Sequence, residues 1–220
     1  MADFTLYSHT GGPNPWKVAI VLEILGLKYE QKFLDFQKGR SEHKAPEYTK
    51  LNPNGRAPTL IDHRNNDFTI WESCAIILYL VDKYDTERKI SAASPEDKYI
   101  ELQYLFFQSS GQGPYFGQFV WFNVFHPEKI PSAQERYKNE VNRVWSVLED
   151  ILSKREWLGG SKCTIADLSF ITWNLTAALG PLKGIDEPEK YPKVYEWHKK
   201  MVEMAPVKKV LEEKAKLQQH

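Results

Sequence analysis

Cysteine is scarce in this chain: Cys74 and Cys163 are the only two among 220 residues. They lie far apart and form neither a CxxC pair nor a metal-ligand spacing. A single structural disulfide stays open, but nothing suggests a secreted disulfide framework, and no metal is expected. An excess of one charge is lacking too, since 29 basic residues balance 29 acidic ones and no long run of one sign occurs. Nucleic-acid binding usually rests on a basic footprint, so this balance argues against it. No segment approaches the roughly 18 apolar residues of a membrane span. Met1 to Thr5 lacks the basic flank and apolar run of a signal peptide, so the cytoplasm is the expected compartment. No internal repeat or low-complexity tract interrupts the chain.

Apolar material, by contrast, is plentiful. The chain is 42% hydrophobic and 13% aromatic, with seven tryptophans, enough for a packed core. Its length suits one large domain or two modest ones, at roughly 100–200 residues per domain.

The first third alternates in type. Phe4 to Ser8 reads as a short strand, followed by the breaker cluster Gly11-Gly12-Pro13-Asn14-Pro15. Val18, Val21, Leu22 and Leu25 then fall at i, i+3, i+4 and i+7, the stripe of a helix ended by Gly26. Lys28 to Leu34 predicts a second strand, and Ser41 to Lys50 a short irregular helix. Thr59 to Asp62 and Phe68 to Trp71 predict strands around the turn Arg64-Asn65-Asn66-Asp67. Ile77, Leu80, Val81 and Tyr84 resume helical spacing. A strand, helix and strand this close together imply a parallel pair with a right-handed crossover. The later hairpin adds antiparallel strands, which gives a small mixed α/β layer of thioredoxin-like arrangement.

After Asp85 to Asp97 the pattern becomes helical throughout. Val141, Val144, Trp145, Leu148 and Leu152 form one stripe; Ile165, Leu168, Ile171 and Leu175 form another; Val194, Trp197 and Met201 form a third. Pro114 is expected to kink a long helix that begins near Pro95. The domains are therefore read as 1–86, thioredoxin-like; 87–95, a linker; and 96–220, all-helical.

Three local features could carry chemistry. Ala57-Pro58 stands just before a strand and is a candidate cis peptide that would turn the Ala57 amide and carbonyl outward. Only about 5–6% of X-Pro bonds are cis, so an ordinary trans loop is the default. Glu72 and Ser73 stand where a strand meets a helix, whose N-terminus suits a carboxylate while Glu72 could hold an ammonium group. Plain capping by Ser73 is the commoner role for that residue type. Asn14 lies at the start of another helix, where a thiolate would be stabilised by the dipole and by donors. As an alternative, Asn14 serves as N-cap with Pro15 at the first helical position. The order of these features on one framework is more specific than any of them alone.

These residues resemble the glutathione transferase superfamily, across essentially the whole chain. The similarity is strongest to the nu class and its fungal relatives, which include a prion-forming nitrogen regulator. It is carried by Pro13-Asn14 with Lys17-Val18, His43-Lys44-Ala45-Pro46-Glu47, Asn52-Pro53-Asn54, Ala57-Pro58 and Ile70-Trp71-Glu72-Ser73. Glu135-Arg136-Tyr137, and Trp157-Leu158-Gly159-Gly160 before Thr164-Ile165-Ala166-Asp167, extend it. The resemblance implies a thioredoxin-like N-terminal domain with an all-helical C-terminal domain, glutathione as cosubstrate, and a homodimer. It implies that Ala57, with Pro58, pairs with the cysteinyl backbone, and that Glu72 and Ser73 hold the γ-glutamyl head. His43 would lie near the glycyl end, Arg136 near the site, and Asn14 would direct its amide to the sulfur. Tyr115 and Phe119 would wall the second-substrate site.

Two residues depart from the family pattern. Relatives often carry Gly where this chain has Pro15, and bacterial members carry Thr where it has Gly12, which leaves Thr10 as a substitute hydroxyl. Ser8 is the reserve sulfur partner, while Tyr7 and Cys74 read as packed side chains. The resemblance implies glutathione-dependent reduction of a small disulfide, with conjugation to electrophiles second. Glutathione or glutathione disulfide would be bound. A non-catalytic regulator or a carrier of hydrophobic ligands on the same fold is the alternative.

Overall fold

The computed structural model describes residues 2–37, 39–179 and 189–218. The chain divides into two compact units, one running to Lys89 and resuming at Met204, the other spanning Ile90–Glu203.

The first unit is built on four strands, β1 (Phe4–Ser8), β2 (Tyr29–Phe33), β3 (Thr59–Asp62) and β4 (Phe68–Trp71), in the order β2-β1-β3-β4. Strands β1 and β2 run parallel, with Phe4 opposite Tyr29, and β3 runs antiparallel to both β1 and β4. Phe4, Leu6 and Leu60 are fully enclosed. Edge strand β2 instead exposes Glu30 and Lys32, charges that discourage edge-to-edge pairing. Helix α1 (Pro13–Ile24) crosses between β1 and β2, α2 (Pro46–Thr49) follows a 3-10 turn at Glu42–Lys44, and α3 (Ser73–Tyr84) follows β4. The expected βαβ and ββα halves are thus both present. Residues Val18 to Leu22 are all buried, beyond the stripe expected, because α1 is covered on more than one side.

The second unit contains α4 (Pro95–Phe107), α5 (Gly113–Val120), α6 (Pro131–Leu152), α7 (Ile165–Leu168), α8 (Ile171–Ala177) and α9 (Pro192–Val202). Ser94 caps α4 by accepting from the Asp97 N–H at 3.1 Å. The irregularity expected at Pro114 takes the form of a π-helical turn, Gln108–Gln112, directly before α5. The α6 stripe is buried at all five positions, and Val194, Trp197 and Met201 are buried on α9. The stripe from Ile165 to Leu175 is interrupted between α7 and α8. Leu175 turns outward, 37% exposed, because the break rotates it off the core face.

Asp167 is the polar centre of this unit. It closes a capping box with Thr164 at the start of α7. Its carboxylate, fully buried, accepts from Leu158 N–H at 2.8 Å, Thr164 N–H at 2.9 Å and Trp197 Nε1–H at 2.9 Å. Burial pushes its carboxyl upward, against the downward pull of these bonds.

Helix α10 (Ala205–Leu217) belongs by its contacts with the first unit, where the sequence reading had placed it with the helical domain. It packs on α1 with Val207 and Val210 buried, Lys209 Nζ lies 2.6 Å from Glu23, and Gln218 Nε2 reaches the Thr10 carbonyl at 3.4 Å. None of the described helices is long and apolar enough to cross a membrane.

Candidate active site

The loop from β1 into α1 is ordered by its own side chains. Trp16, fully buried, donates Nε1–H to the Thr10 carbonyl at 3.0 Å. The helix begins two residues earlier than the capping alternative required. Gly12 is the N-cap and Pro13 the first helical residue, so Asn14 sits second, half-buried, with Pro15 third. Pro13 and Pro15 carry no backbone N–H, which leaves the Asn14 N–H as the one main-chain donor among the first three helical positions. Ser8 is unsuited to its reserve role, because its hydroxyl is fully buried and accepts from Gln31 Nε2 at 2.8 Å. Tyr7 packs on Tyr48, ring centroids 5.4 Å apart.

The Ala57–Pro58 bond is cis, against the default for X-Pro. The preceding loop is braced by two groups, with the Arg56 carbonyl accepting from Tyr48 OH at 2.6 Å and from buried Asn52 Nδ2 at 2.7 Å. Gly55 has φ +57°, and a Cβ there would lie 2.7 Å from the His43 carbonyl oxygen. Only glycine lets this loop and the 3-10 turn approach so closely. His43 itself stacks on Phe36 at 3.9 Å, and His9 packs on the same ring at 4.3 Å. Burial first, then the cations of Lys44 and Arg56, holds the His43 imidazole below its ordinary range. The basic surroundings, which residue-by-residue reading missed apart from His43, suit a carboxylate.

At the β4–α3 junction Glu72 is the N-cap and makes no side-chain capping bond, while Ser73 is the first helical residue. Simple capping by Ser73 is therefore not its role. Glu72 adopts φ +74° and ψ 112°, a conformation that costs a non-glycine residue about 1–3 kcal/mol and clusters at functional sites. Ser73 is 6% exposed, and its hydroxyl accepts from Lys17 Nζ at 3.1 Å. Asn14 and Lys17 are three residues apart and share a face of α1. The Lys17–Ser73 bond therefore turns that face towards the first turn of α3. The first unit thus brings together two helix N-termini, with the Asn14 N–H as the early main-chain donor of α1 and the first-turn N–H groups of α3 beside the Ser73 hydroxyl.

The remaining site residues lie in the second unit. Tyr115 is half-buried on α5, with its ring 6.5 Å from Tyr137 and 5.9 Å from the Arg143 guanidinium. Phe119 is fully buried, so it is a core side chain and not a pocket wall. Arg136 is exposed on α6. Both cysteines are free thiols, and burial pushes the Cys163 thiol up. Among the described residues no group of three or more His, Cys, Asp or Glu could hold a metal.

A mixed sheet with a cis-proline loop, followed by a helical unit with a buried capping box, defines a class, and comparison with known proteins agrees. Residues 2–82 match the glutathione S-transferase N-terminal domain and residues 114–204 the C-terminal domain. Glutathione S-transferase 2 of Schizosaccharomyces pombe is 55% identical, with 98% of each chain covered. The crystal structure of glutathione transferase URE2P6 from Phanerochaete chrysosporium, in complex with oxidized glutathione, is 60% identical. It superposes with a TM-score of 0.93 over 98% of this chain and 97% of its own. Ure2p5 of the same fungus, cocrystallized with 1-(S-glutathionyl)-2,4-dinitrobenzene, is 45% identical. Its TM-score is 0.90 over 99% and 96% of the two chains. The chain belongs to the glutathione S-transferase family, in its fungal Ure2p-like branch.

Proposed function

We propose that this protein uses glutathione to reduce small disulfides and, secondarily, to conjugate electrophiles, with Asn14 as the group that stabilises the thiolate. The observation that carries the reading is the position of Asn14 at the second residue of α1, between two prolines, on the face tied to Ser73 by Lys17. The peptide dipoles and the Asn14 amide favour the anionic sulfur, which lowers the thiol pKa. Glu72 and Ser73 hold the γ-glutamyl ammonium and carboxylate. The Ala57 main chain pairs with the cysteinyl residue, beside Pro58, and His43 with its basic neighbours faces the glycyl carboxylate. Arg136 and Tyr115 remain part of this reading as residues near the cosubstrates.

In the reduction, the glutathione thiolate attacks one sulfur of the disulfide, forming a mixed disulfide and expelling the other sulfur as thiolate. No protein cysteine is placed at the sulfur position, so a second glutathione thiolate attacks the mixed disulfide. Glutathione disulfide and the second substrate thiolate result, a balanced two-electron exchange. In conjugation the same thiolate forms a carbon–sulfur bond and expels a leaving group such as chloride. The relatives bound to oxidized glutathione and to a dinitrobenzene conjugate support both halves of the proposal. A cytoplasmic homodimer completes the reading; sedimentation of the purified protein as a monomer would remove the dimer.

The test is glutathione-dependent reduction of hydroxyethyl disulfide beside conjugation of chlorodinitrobenzene, with Asn14→Ala in parallel. Both activities are expected in the native chain and a loss of about tenfold or more in the variant, as for one thiolate donor removed. No turnover in either reaction would end the enzyme reading, and full activity in Asn14→Ala would transfer the role to Thr10.

A further inference from the structure

Lys17 is a buried charged side chain to which the reading above gives only the tie between α1 and Ser73. It lies one turn into α1, is 1% exposed, and points its ammonium at the first turn of α3. A lysine is almost never buried so completely without a specific reason. Its Nζ is 3.1 Å from Ser73 Oγ and 3.7 Å from Cys74 Sγ, and the Glu72 carboxylate contributes from the N-cap of the same helix. Burial pushes the ammonium down, while Cys74 and Glu72 oppose that. The groups around it include a hydroxyl, a thiol and an exposed carboxylate.

The Ser73 hydroxyl has one proton and two lone pairs. With Lys17 donating to one lone pair, the Ser73 proton is directed away from α1. An ammonium cannot accept, so the hydroxyl cannot turn round to donate to it. The hydroxyl is thereby fixed as a donor in the first turn of a helix, where main-chain N–H groups and the dipole already favour an anion.

We propose that Lys17 is a positioning residue for the α-carboxylate of the γ-glutamyl group: it orients the Ser73 hydroxyl as a donor and supplies a buried positive charge behind it. The inference rests on the placement of that group at Glu72 and Ser73. It adds a determinant of selectivity, since a ligand lacking the α-carboxylate has nothing to gain from Lys17.

The test compares binding of glutathione with that of γ-aminobutyryl-cysteinyl-glycine, which differs only by the missing α-carboxylate, using calorimetry on native, Lys17→Met and Lys17→Arg proteins. Methionine keeps the length and removes the charge, an exchange that buried sites usually tolerate. Lys17→Met is expected to weaken glutathione on the order of tenfold, as for a charge-assisted hydrogen bond. It should change the analogue less than about twofold, the precision of such a comparison. Lys17→Arg should recover part of the selectivity. Equal weakening of both ligands would assign Lys17 a structural role and overturn the proposal, as would no change in either. A native protein that binds neither ligand would overturn the glutathione reading as well, whereas native binding without a Lys17 effect removes this inference alone. As a measurement that needs no folded variant, the Lys17 Cε resonance of 13C-lysine-labelled protein should move with glutathione and not with the analogue. Identical movement with both would likewise refute the role.

Discussion

Removing the carboxylate of Asp167 should destabilise the helical unit about as much as truncating one of its large buried apolar side chains. The side chain is fully buried and accepts from two main-chain N–H groups and one indole N–H, all within 2.9 Å. Asp167→Ala leaves three buried donors without an acceptor, at about 1–3 kcal/mol each. Relief of a carboxylate whose burial is itself unfavourable offsets part of this. A net loss of about 4 kcal/mol follows, about a quarter or more of a typical domain stability of about 5–15 kcal/mol. With a urea m-value near 2.5 kcal/mol/M, the midpoint should fall by about 1.5 M at unchanged slope. Asp167→Asn, which keeps one oxygen but points an NH2 at a donor, should lose roughly half as much. Urea titration followed by tryptophan fluorescence and far-UV circular dichroism reads both values. A midpoint shift in Asp167→Ala smaller than about 0.5 M would refute the argument that these three bonds tie the loop, α7 and α9 together.

Two further outcomes are expected. His198 is 5% exposed on α9, its Nδ1 is enclosed without a partner, and burial lowers its pKa to about 4. Because the unfolded imidazole takes a proton near pH 6.5 and the folded one only near pH 4, stability falls as pH drops through that window. The loss totals about 3 kcal/mol at about 1.4 kcal/mol per pH unit. His198→Leu should flatten the denaturation midpoint between pH 6.5 and 4.5 relative to the native chain; parallel curves would contradict it. Glu72→Gly should raise thermal stability by about 1 kcal/mol through relief of its positive φ. The KM for glutathione should rise at the same time, and a variant that loses stability would show that the backbone there is not strained.

Much of the first unit was legible because its signals are short-range. Alternation and turn residues delimit β3 and β4, and the breaker cluster after Ser8 separates β1 from α1. Position within the first turn of α1 was not legible. Pro13 and Pro15 both suit an early helical position, and which of them comes first is decided by where the loop packs through Trp16. Lys17 was legible as part of a family segment, but its burial was not, because periodicity treats every lysine as solvated whereas this burial arises from the meeting of α1 with α3, far apart in sequence. Phe119 and Leu175 show the same limit: spacing marks an apolar face but not which neighbour covers it. The cis Ala57–Pro58 bond was identified as a position worth weighing, yet its isomer depends on bracing by Tyr48 and Asn52, which local statistics do not see.

The return of α10 to the first unit orders events during synthesis. Domains fold as units while the chain emerges at about 5–20 residues per second. Every residue of Ile90–Glu203 is made before Ala205, so the helical unit is complete in sequence before α10 exists. The first unit, whose helix α1 carries Asn14, is made earliest but waits for α10 to cover α1. Until then the apolar back of α1 is open to other chains, and a nascent protein is most exposed to aggregation at the helix that presents its chemistry.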